Sequence, residues 1–195
     1  MACGSASKLQ ENIDYPCVVP TPGIRAKIWI GNLADVDTFS RKSVDPDSPD
    51  SVILSTLVLK TGKKLKTIEG FRLSNVPTVG YNNTAYATYL PHNFQLAIFD
   101  KSEKGRHAAN VLVKQEDLFI IYREKALTGN FIVNGFTVGM TASNFSSAQN
   151  DDNGGAFILD FTAATETEVP IILRHMTSSV EDTETYLNAL TLQPA

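Results

Sequence analysis

The sequence predicts a mainly β fold with a single helix, and three observations support that fold class. Several segments alternate apolar and polar residues with a period of two, which is typical of strands that bury one face. Clusters of Gly, Pro, Asn, Asp and Ser separate these segments, as turns between strands require. No part of the sequence shows the repeated strand–helix–strand order of a doubly wound fold. The pattern predicts about eight to ten short strands.

Composition and charge restrict the function classes more weakly. The 195 residues suffice for one domain, and 17 basic against 21 acidic residues give a net charge of −4. This balance argues against a surface that grips phosphate, although it permits a protein through which DNA passes without being held. Cys3 and Cys17 lie outside any C-x-x-C motif, so we expect two reduced thiols rather than a disulfide or a zinc site.

The N-terminal region predicts an arm rather than a targeting segment. It lacks the charged-then-apolar order of a secretory signal, so we expect synthesis in a cytoplasm. The chain has no run of about 18 apolar residues, so neither a transmembrane helix nor a membrane partner is expected. Pro16, Pro20 and Pro22 predict an extended arm over residues 1–23. Residues 24–195 are expected to form one β-rich domain.

The first part of this domain predicts a strand and then a hairpin. Residues 24–32, IRAKIWIGN, alternate between Ile24, Ala26, Ile28 and Ile30 on one face and Arg25, Lys27 and Trp29 on the other. After a polar loop, residues 52–71 predict a strand, a turn at Thr61-Gly62 and a second strand. The tip of this hairpin carries Lys60, Lys63, Lys64 and Lys66. The lysines could contact nucleic acid or a membrane, but they fit a solvated tip or an ion-pairing contact with an acidic neighbouring subunit better.

The middle of the chain predicts a long strand and the helix. Residues 82–100 read as one strand that is polar first and apolar later. Residues 102–115 read as a helix, because Ser102 is a suitable N-cap and Glu103 places negative charge in the first turn. Gly105 is expected to weaken this helix by about 1 kcal/mol relative to alanine. Its apolar stripe is predicted at Ala108, Val111, Leu112 and Gln115.

The remaining segments predict further strands and an ambiguous tail. Residues 118–123 and 130–138 predict a hairpin with its turn at 125–129, and apolar residues occupy nearly every position of it. We expect one face of this hairpin to meet the domain's own core and the other a neighbour or the helix. Strands are also predicted near 140–148, 156–164 and 169–176. The tail, 180–195, predicts a helical turn followed by an extended end.

The histidines and the sequence motifs predict neither an enzyme nor a cofactor or metal site. His92, His107 and His175 are far apart and fit surface or packing roles better than catalysis or metal binding. No G-x-S-x-G or G-x-x-x-x-G-K-[ST] motif is present. Residues 149–155, QNDDNGG, offer oxygen ligands for calcium, but they lack the spacing of a calcium loop and equally suit a tight turn.

The order of these elements resembles that of the tail tube proteins of tailed bacteriophages and of their tube-like ring relatives in short-tailed phages. The residues that carry the resemblance are MACGS at the start, VLKTGKKLKTIEGF, SNVPTVGYNNTAYATYLPHNFQLAIFD and NGFTVGMTASNFSSAQNDDNGGAFILDFTA. In detail the chain looks most like small tail proteins of phages that infect the Bacteroidetes group, including the crAss-like phages. The likeness covers about residues 52–173, and none of its motifs is a catalytic fingerprint.

The resemblance implies a two-sheet β-sandwich or barrel with one flanking helix, and a structural role in the virion. Such proteins assemble in the phage tail into rings of about six copies, with about twelve as the alternative, around a channel for the genome. The implied partners are copies of the chain, neighbouring tail or portal-connector proteins, and DNA that passes during ejection without specific binding. The hairpin that reaches a neighbouring copy would be Lys60, Thr61, Gly62, Lys63 and Lys64.

The resemblance also directs attention to a strand that could line the channel. A neutral or acidic wall lets a polyanion slide past, because it offers no cation to hold phosphate. Residues 157–162 place Asp160 and Thr162 on the face opposite Phe157, Leu159 and Phe161. Asp160 and Thr162 are therefore candidate channel-facing residues, although the pattern also fits an ordinary solvated strand face. Asn144 and Ser146 are further candidates for the same wall.

Two other function classes stay open at this stage. A carbohydrate- or surface-binding β-sandwich module, such as an adhesin, would expose clustered aromatic residues in a cleft. Tyr81, Tyr86 and Tyr89 are the nearest approach to such a cluster, and Trp29 stands alone. A hydrolase that cleaves the cell wall would need a Glu, His or Cys centre, which the sequence does not offer.

Overall fold

The computed structural model describes residues 23–42, 53–70, 74–125, 129–147, 155–177 and 179–192. They form thirteen strands and two α-helices, so the mainly β prediction is confirmed and the predicted single helix is wrong. The elements are β1 Ile24–Asn32, β2 Val36–Lys42, β3 Ile53–Leu59, β4 Lys66–Glu69, β5 Val76–Val79, β6 Asn82–Asn83, β7 Thr88–Tyr89, β8 His92–Ile98, α1 Glu103–Val113, β9 Leu118–Glu124, β10 Phe131–Asn134, β11 Thr141–Ser146, β12 Phe157–Ala163, β13 Ile171–Leu173 and α2 Val180–Leu192.

Two predicted features fall on parts of the chain that are not described. The N-terminal arm lies outside the described residues, apart from Gly23. So does the QNDDNGG segment at 149–155, apart from Gly155. The boundary of the single domain at residue 24 stays a prediction.

Eleven of the strands build two sheets. The large sheet has seven strands in the order β2-β3-β13-β10-β9-β1-β4, and the small sheet has four in the order β11-β12-β8-β5. Neighbouring strands run antiparallel, except that β13 and β3 are parallel. Strands β6 and β7 form a separate two-stranded ribbon. Neither sheet closes into a barrel within the described residues, so of the two predicted architectures the two packed, open sheets match the structure.

The large sheet is buried on both faces, and β9 shows this most clearly. Leu118 and Ile120 point into a first core, which the large sheet shares with the small sheet and α1. Phe119 and Ile121 point into a second core, which the large sheet shares with α2. The chain itself therefore covers both faces of β9, the first strand of the predicted hairpin of 118–123 and 130–138, and the apolar pattern of this strand needs no contact with a neighbour.

Helix α2 corrects the prediction of an extended C-terminal end. Its start follows the expected chemistry: the Ser179 hydroxyl accepts a hydrogen bond from the Asp182 amide at 3.1 Å and donates one to its carboxylate at 2.8 Å. Thr183, Leu187 and Leu190 then recur at helical spacing and are buried. A helix places these three side chains on one stripe, which an extended strand would not do.

Strand β1 is more buried than the sequence predicts. Trp29 lies on the face predicted to be polar, yet it is only 1% exposed because it belongs to the second core. On the same face, Lys27 donates a hydrogen bond to Asn188 of α2 at 2.7 Å, and its ammonium lies 5.1 Å from the Trp29 ring centroid. Helix α2 thus covers the second face of β1, which the sequence predicts to be exposed.

Helix α1 begins as predicted but buries a different stripe. The Ser102 hydroxyl accepts a hydrogen bond from the Gly105 amide, and Glu103 lies in the first turn. The buried residues are Gly105, Ala109 and Leu112, whereas Val111 and Gln115 of the predicted stripe are exposed. Gly105 lies so close to the preceding loop that a Cβ atom there would stand 2.0 Å from the Asp100 carbonyl oxygen.

Two predicted strand arrangements are wrong. Strands β3 and β4 do not pair as a hairpin, because β3 pairs with β2 and β13 while β4 pairs with β1 at the opposite edge of the large sheet. The predicted long strand at 82–100 is three strands, β6, β7 and β8, and a turn at 84–87 separates the first two. Strands β3 and β4 take partners distant in sequence, whereas β6 and β7 pair with each other across their turn.

The close approach of Gly105 to Asp100 predicts that Gly105→Ala lowers stability. Helix propensity alone would raise stability by about 1 kcal/mol. The added Cβ would instead press on backbone, which cannot swing away as a side chain can, so we expect a net loss of about 1–3 kcal/mol. Urea unfolding measures the change.

Asn110→Ala is the control, because Asn110 lies on the exposed side of the same helix. It should leave the free energy of unfolding unchanged or raise it slightly. If both variants gained stability equally, the packing of Gly105 would not matter.

Candidate functional site

The outward face of the small sheet carries a regular array of polar side chains. Register places Val76, Gln95, Asp160 and Asn144 in one cross-strand row, and Thr78, Asn93, Thr162 and Thr141 in the next. The opposite face of the same strands, with Phe94, Leu96, Leu159 and Phe161, lies in the first core. Asp160 and Thr162 therefore lie together on the outward face, as their alternation predicts, with Asn144 in the row of Asp160.

Asp160 is held in a fixed position within this array. Its Oδ1 accepts a hydrogen bond from the Gln95 amide at 3.0 Å, and its Oδ2 accepts one from the Asn144 amide at 3.0 Å. The Ser143 hydroxyl donates to the Asp160 carbonyl oxygen at 3.1 Å. The carboxylate thus lies between two neutral amides, with no cation in contact among the described residues.

The charge of this face is low. The outward positions within the four strands are Val76, Thr78, Asn93, Gln95, Ala97, Thr141, Asn144, Ser146, Ile158, Asp160 and Thr162. They include one acidic residue and no lysine or arginine. A shallow depression of about 350 Å³ crosses the centre of the face, next to Asn93, Gln95 and Asp160. Hydroxyls and amides dominate what this surface presents to solvent.

The lysine-rich segment at 60–64 does not reach away from the body of the protein. Lys60 donates a hydrogen bond from Nζ to the Ala34 carbonyl oxygen at 2.7 Å, and Lys63 forms an ion pair with Asp35 at 2.9 Å. A turn at Thr61-Gly62, where Gly62 has a φ of 78°, connects them as predicted. Segment 60–64 therefore packs on the short 3-10 turn Leu33–Asp35 of its own chain. Contact with another copy stays a prediction for Lys60, Lys63 and Lys64.

A projecting element exists elsewhere, at residues 80–91. The ribbon of β6 and β7 continues the β5–β8 pair, and its base is joined by a hydrogen bond from the Gly80 amide to the Pro91 carbonyl oxygen at 2.8 Å. At its tip the Thr84 hydroxyl accepts from the Ala87 amide at 3.0 Å. Tyr86 is 99% exposed and Tyr81 is 71% exposed. Residues 84–87 include no Gly, Pro or Asn, so no local pattern predicts this turn.

His92 is a buried residue at the base of this ribbon. Its Nδ1 accepts a hydrogen bond from the Gly135 amide at 3.1 Å, which requires that nitrogen to be unprotonated. The other ring nitrogen, Nε2, therefore carries the proton and donates to the Glu168 carbonyl oxygen at 2.8 Å. Burial lowers the pKa of His92 below its ordinary value of about 6.5, against the opposing effects of the Glu168 carbonyl and of the Glu166 and Glu168 charges.

Segment 166–168 joins the ribbon base to the loop that follows β10. The Glu166 carbonyl oxygen accepts from the Leu90 amide at 2.6 Å, and its Oε1 accepts from the Thr137 and Val138 amides at 3.0 Å each. Its Oε2 is buried and accepts no hydrogen bond from the described residues. The sequence does not indicate this cluster, because a single histidine and a distant glutamate form no motif.

The other two histidines lie on α1 and just before α2. His107 is exposed on α1, and His175 stacks on Tyr186 with ring centroids 3.6 Å apart. No group of three His, Cys, Asp or Glu side chains is close enough to hold a metal ion in the part of the chain that the structure describes. Neither described helix is long and apolar enough to cross a membrane.

Comparison with known proteins gave no match: no family model, no curated protein and no solved structure is similar to this chain.

The environment of His92 predicts that stability falls with acidity below pH 6.5. The folded state holds the neutral imidazole, whereas the unfolded chain takes up a proton near its ordinary pKa of about 6.5. The contribution of His92 is therefore complete above that pH and is lost as the pH falls toward the lower folded pKa. Each unit by which the folded pKa lies lower contributes about 1.4 kcal/mol. The free energy of unfolding, measured between pH 7.5 and 5, tests the direction of this change.

His92→Gln supplies the comparison, since glutamine does not titrate. It should be less stable than the natural protein at pH 7.5, and the difference should narrow toward pH 5. His107→Gln removes an exposed histidine instead and serves as the control substitution. A constant difference for His92→Gln at all pH values would contradict the lowered pKa of His92 in the folded protein.

Proposed function

We propose that the chain is a structural protein of a bacteriophage tail, where copies join into a ring or tube whose inner wall is the outward face of the small sheet. The single observation that carries this proposal is the array of polar, nearly uncharged side chains on that face, Asp160 and Thr162 among them. The ring has about six copies, or about twelve, and meets neighbouring tail or portal-connector proteins in the virion.

The chemistry of that face suits DNA in transit. Binding of duplex DNA depends on lysine and arginine at the phosphates, and this wall has neither. The wall's one carboxylate, on Asp160, already accepts two amide hydrogen bonds and repels phosphate weakly. Hydroxyl and amide groups keep the wall hydrated, so DNA passes without a fixed contact.

The ribbon at 80–91 is the element best placed to reach a neighbouring copy. It projects from the small sheet, and a two-stranded ribbon of this size gains little stability by itself in water. Its exposed Tyr81 and Tyr86 are residues that protein interfaces favour. In this proposal the ribbon takes the role that the resemblance suggested for segment 60–64.

A second candidate function rests on the same tyrosines. A carbohydrate- or surface-binding β-sandwich module presents exposed aromatic rings to sugar rings, and Tyr81 and Tyr86 are exposed on the ribbon. This module would act as a monomer, whereas the tail protein would assemble. The alternative requires specific retention on a host polysaccharide, lost in Tyr86→Ala.

Electron microscopy of the purified protein, with light scattering at rising concentration, tests the proposed function. We expect rings or stacked tubes with a central hole wide enough for duplex DNA. A protein that stays monomeric at all concentrations and binds a surface polysaccharide through the ribbon would contradict the proposal and support the second candidate.

A lysine on the wall tests which face lines the channel. Thr162→Lys adds one cation per copy to the proposed wall, and we expect assembled rings of this variant to retain duplex DNA in a salt-dependent way. The natural protein should not retain it at the same ionic strength. Filter binding at several salt concentrations measures the effect.

Thr185→Lys is the matched control, because it adds the same charge at an exposed position of α2, away from the wall. It should leave DNA retention near that of the natural protein. Equal retention by Thr162→Lys and Thr185→Lys would place the wall elsewhere.

A further inference from the structure

We propose that loop 135–138, which follows β10, is held by a hydrogen-bond switch at His92 and is released when the imidazole gains a second proton. The neutral ring binds the Gly135 amide. The protonated ring pairs instead with the carboxylate of Glu166, whose hydrogen bonds to the loop are then lost. This inference concerns the single chain, so it does not depend on the proposed ring.

The neutral imidazole of His92 joins two separate segments. Its Nδ1 accepts a hydrogen bond from the Gly135 amide at 3.1 Å, and its Nε2 donates one to the Glu168 carbonyl oxygen at 2.8 Å. Because His92 is only 2% exposed, water does not take the place of either partner. The first amide of loop 135–138 therefore depends on an unprotonated Nδ1.

A second proton on His92 removes this acceptor. Both nitrogens of an imidazolium are donors, so its Nδ1–H and the Gly135 N–H would face each other across the 3.1 Å that now separates the two nitrogens. A buried donor without an acceptor is costly. Nε2 keeps its hydrogen bond to the Glu168 oxygen and ties the ring to segment 166–168. The loop is therefore the partner that leaves.

Glu166 supplies an acceptor for the second proton. This residue is fully buried, and its Oε1 accepts hydrogen bonds from the Thr137 and Val138 amides at 3.0 Å each. Its Oε2 accepts none from the described residues, which is unusual for a buried carboxylate oxygen. No ion pair joins His92 and Glu166 now, so the carboxylate has to turn toward the ring. That turn withdraws Oε1 from the two loop amides.

The charges around His92 determine where the switch acts. The carboxylates of Glu166 and Glu168 favour a protonated ring, but burial outweighs them and keeps the pKa of His92 below its ordinary value of 6.5. Glu168 already pairs with Arg41 of β2 at 2.7 Å, so Glu166 is the carboxylate available to the ring. No charge is carried by loop 135–138 or by the sheet partners of His92, which are Val79 of β5 and Ala163 of β12. The release therefore occurs below pH 6.5.

Release of loop 135–138 uncovers apolar surface without opening the ribbon base. Phe136 of the loop is 6% exposed and packs edge-on against Phe39 and Phe119. The ribbon keeps its attachment, because the Leu90 amide donates to the main-chain oxygen of Glu166 rather than to its carboxylate. Acid thus frees one loop while the two sheets persist.

Spin labels test the switch. In the full chain with Cys3→Ser and Cys17→Ser, a nitroxide is attached to Val138→Cys in the loop, to Tyr81→Cys on the ribbon or to Asn110→Cys on α1, which are all exposed positions. Electron paramagnetic resonance should show a restricted label at Val138→Cys at pH 7.5. Its mobile component should grow several-fold below pH 6.5, before circular dichroism reports loss of the fold. The other two labels should not change over this range.

Two substitutions in the labelled Val138→Cys chain assign the titrating pair. His92→Gln keeps a donor and an acceptor but does not titrate, so its label should stay independent of pH until the fold is lost. Glu166→Gln keeps an acceptor for the loop amides but removes the carboxylate that the imidazolium needs, so release should move to lower pH. Release at an unchanged pH in Glu166→Gln would overturn the role of Glu166.

Two further results would overturn the switch itself. One is a loop label that stays restricted until all three labels become mobile together, and the other is equal release in His92→Gln. Nuclear magnetic resonance of the ring nitrogens decides the matter should His92→Gln fail to fold. In the natural protein the His92 nitrogens should change from the neutral tautomer to the imidazolium over the pH range in which the loop is released. A ring that stays neutral through that range would reject the proposal.

Discussion

Burial of β9 on both faces is the constraint on which the rest of this fold depends. Leu118 and Ile120 need a cover on one side, and Phe119 and Ile121 need one on the other. Each such side chain contributes about 1.5–3 kcal/mol when it leaves water, so neither face can be left open. The small sheet with α1 meets the first demand and α2 the second. Since both covers come from the chain itself, the apolar pattern of β9 is explained by three packed layers: the small sheet with α1, the large sheet and α2.

The proposal of assembly therefore rests on surfaces that take no part in either core. One face of the small sheet packs in the first core. Its other face is mostly polar and nearly uncharged, and it faces solvent. The ribbon at 80–91 adds nothing to either core, yet segment 166–168 holds its base through Leu90 while His92 and the loop after β10 bind the same segment. A rigid base under an exposed tip suits an element that contacts something else. Together these surfaces give the proposed ring its wall and its contacts.

What the sequence could predict is what local chemistry decides. Alternation placed Asp160 and Thr162 on the outward face of β12, and Ser102 marked the start of α1, because both signals lie within a few residues. For the tail, the first helical turn was predicted but its continuation to Leu192 was not, because the burial of Leu187 and Leu190 depends on the distant strands of the large sheet. The sequence predicted that β3 and β4 pair as a hairpin, but a turn between two strands does not require them to pair with each other. The site around His92 and Glu166 depends on contacts far apart in sequence, and no local pattern predicts them.

The arrangement of aromatic residues also weighs between the two candidate functions. A sugar-binding face needs a ring against which the sugar stacks and hydrogen-bonding groups next to it. Here the outward positions of the four strands hold hydroxyls and amides without an aromatic side chain, and the exposed tyrosines stand apart on the ribbon. Trp29, the residue best suited to such stacking, is buried in the second core. A channel wall that does not bind DNA needs neither aromatic side chains nor cations, and the outward positions of these strands have neither. A face that binds sugar by stacking would need an aromatic side chain.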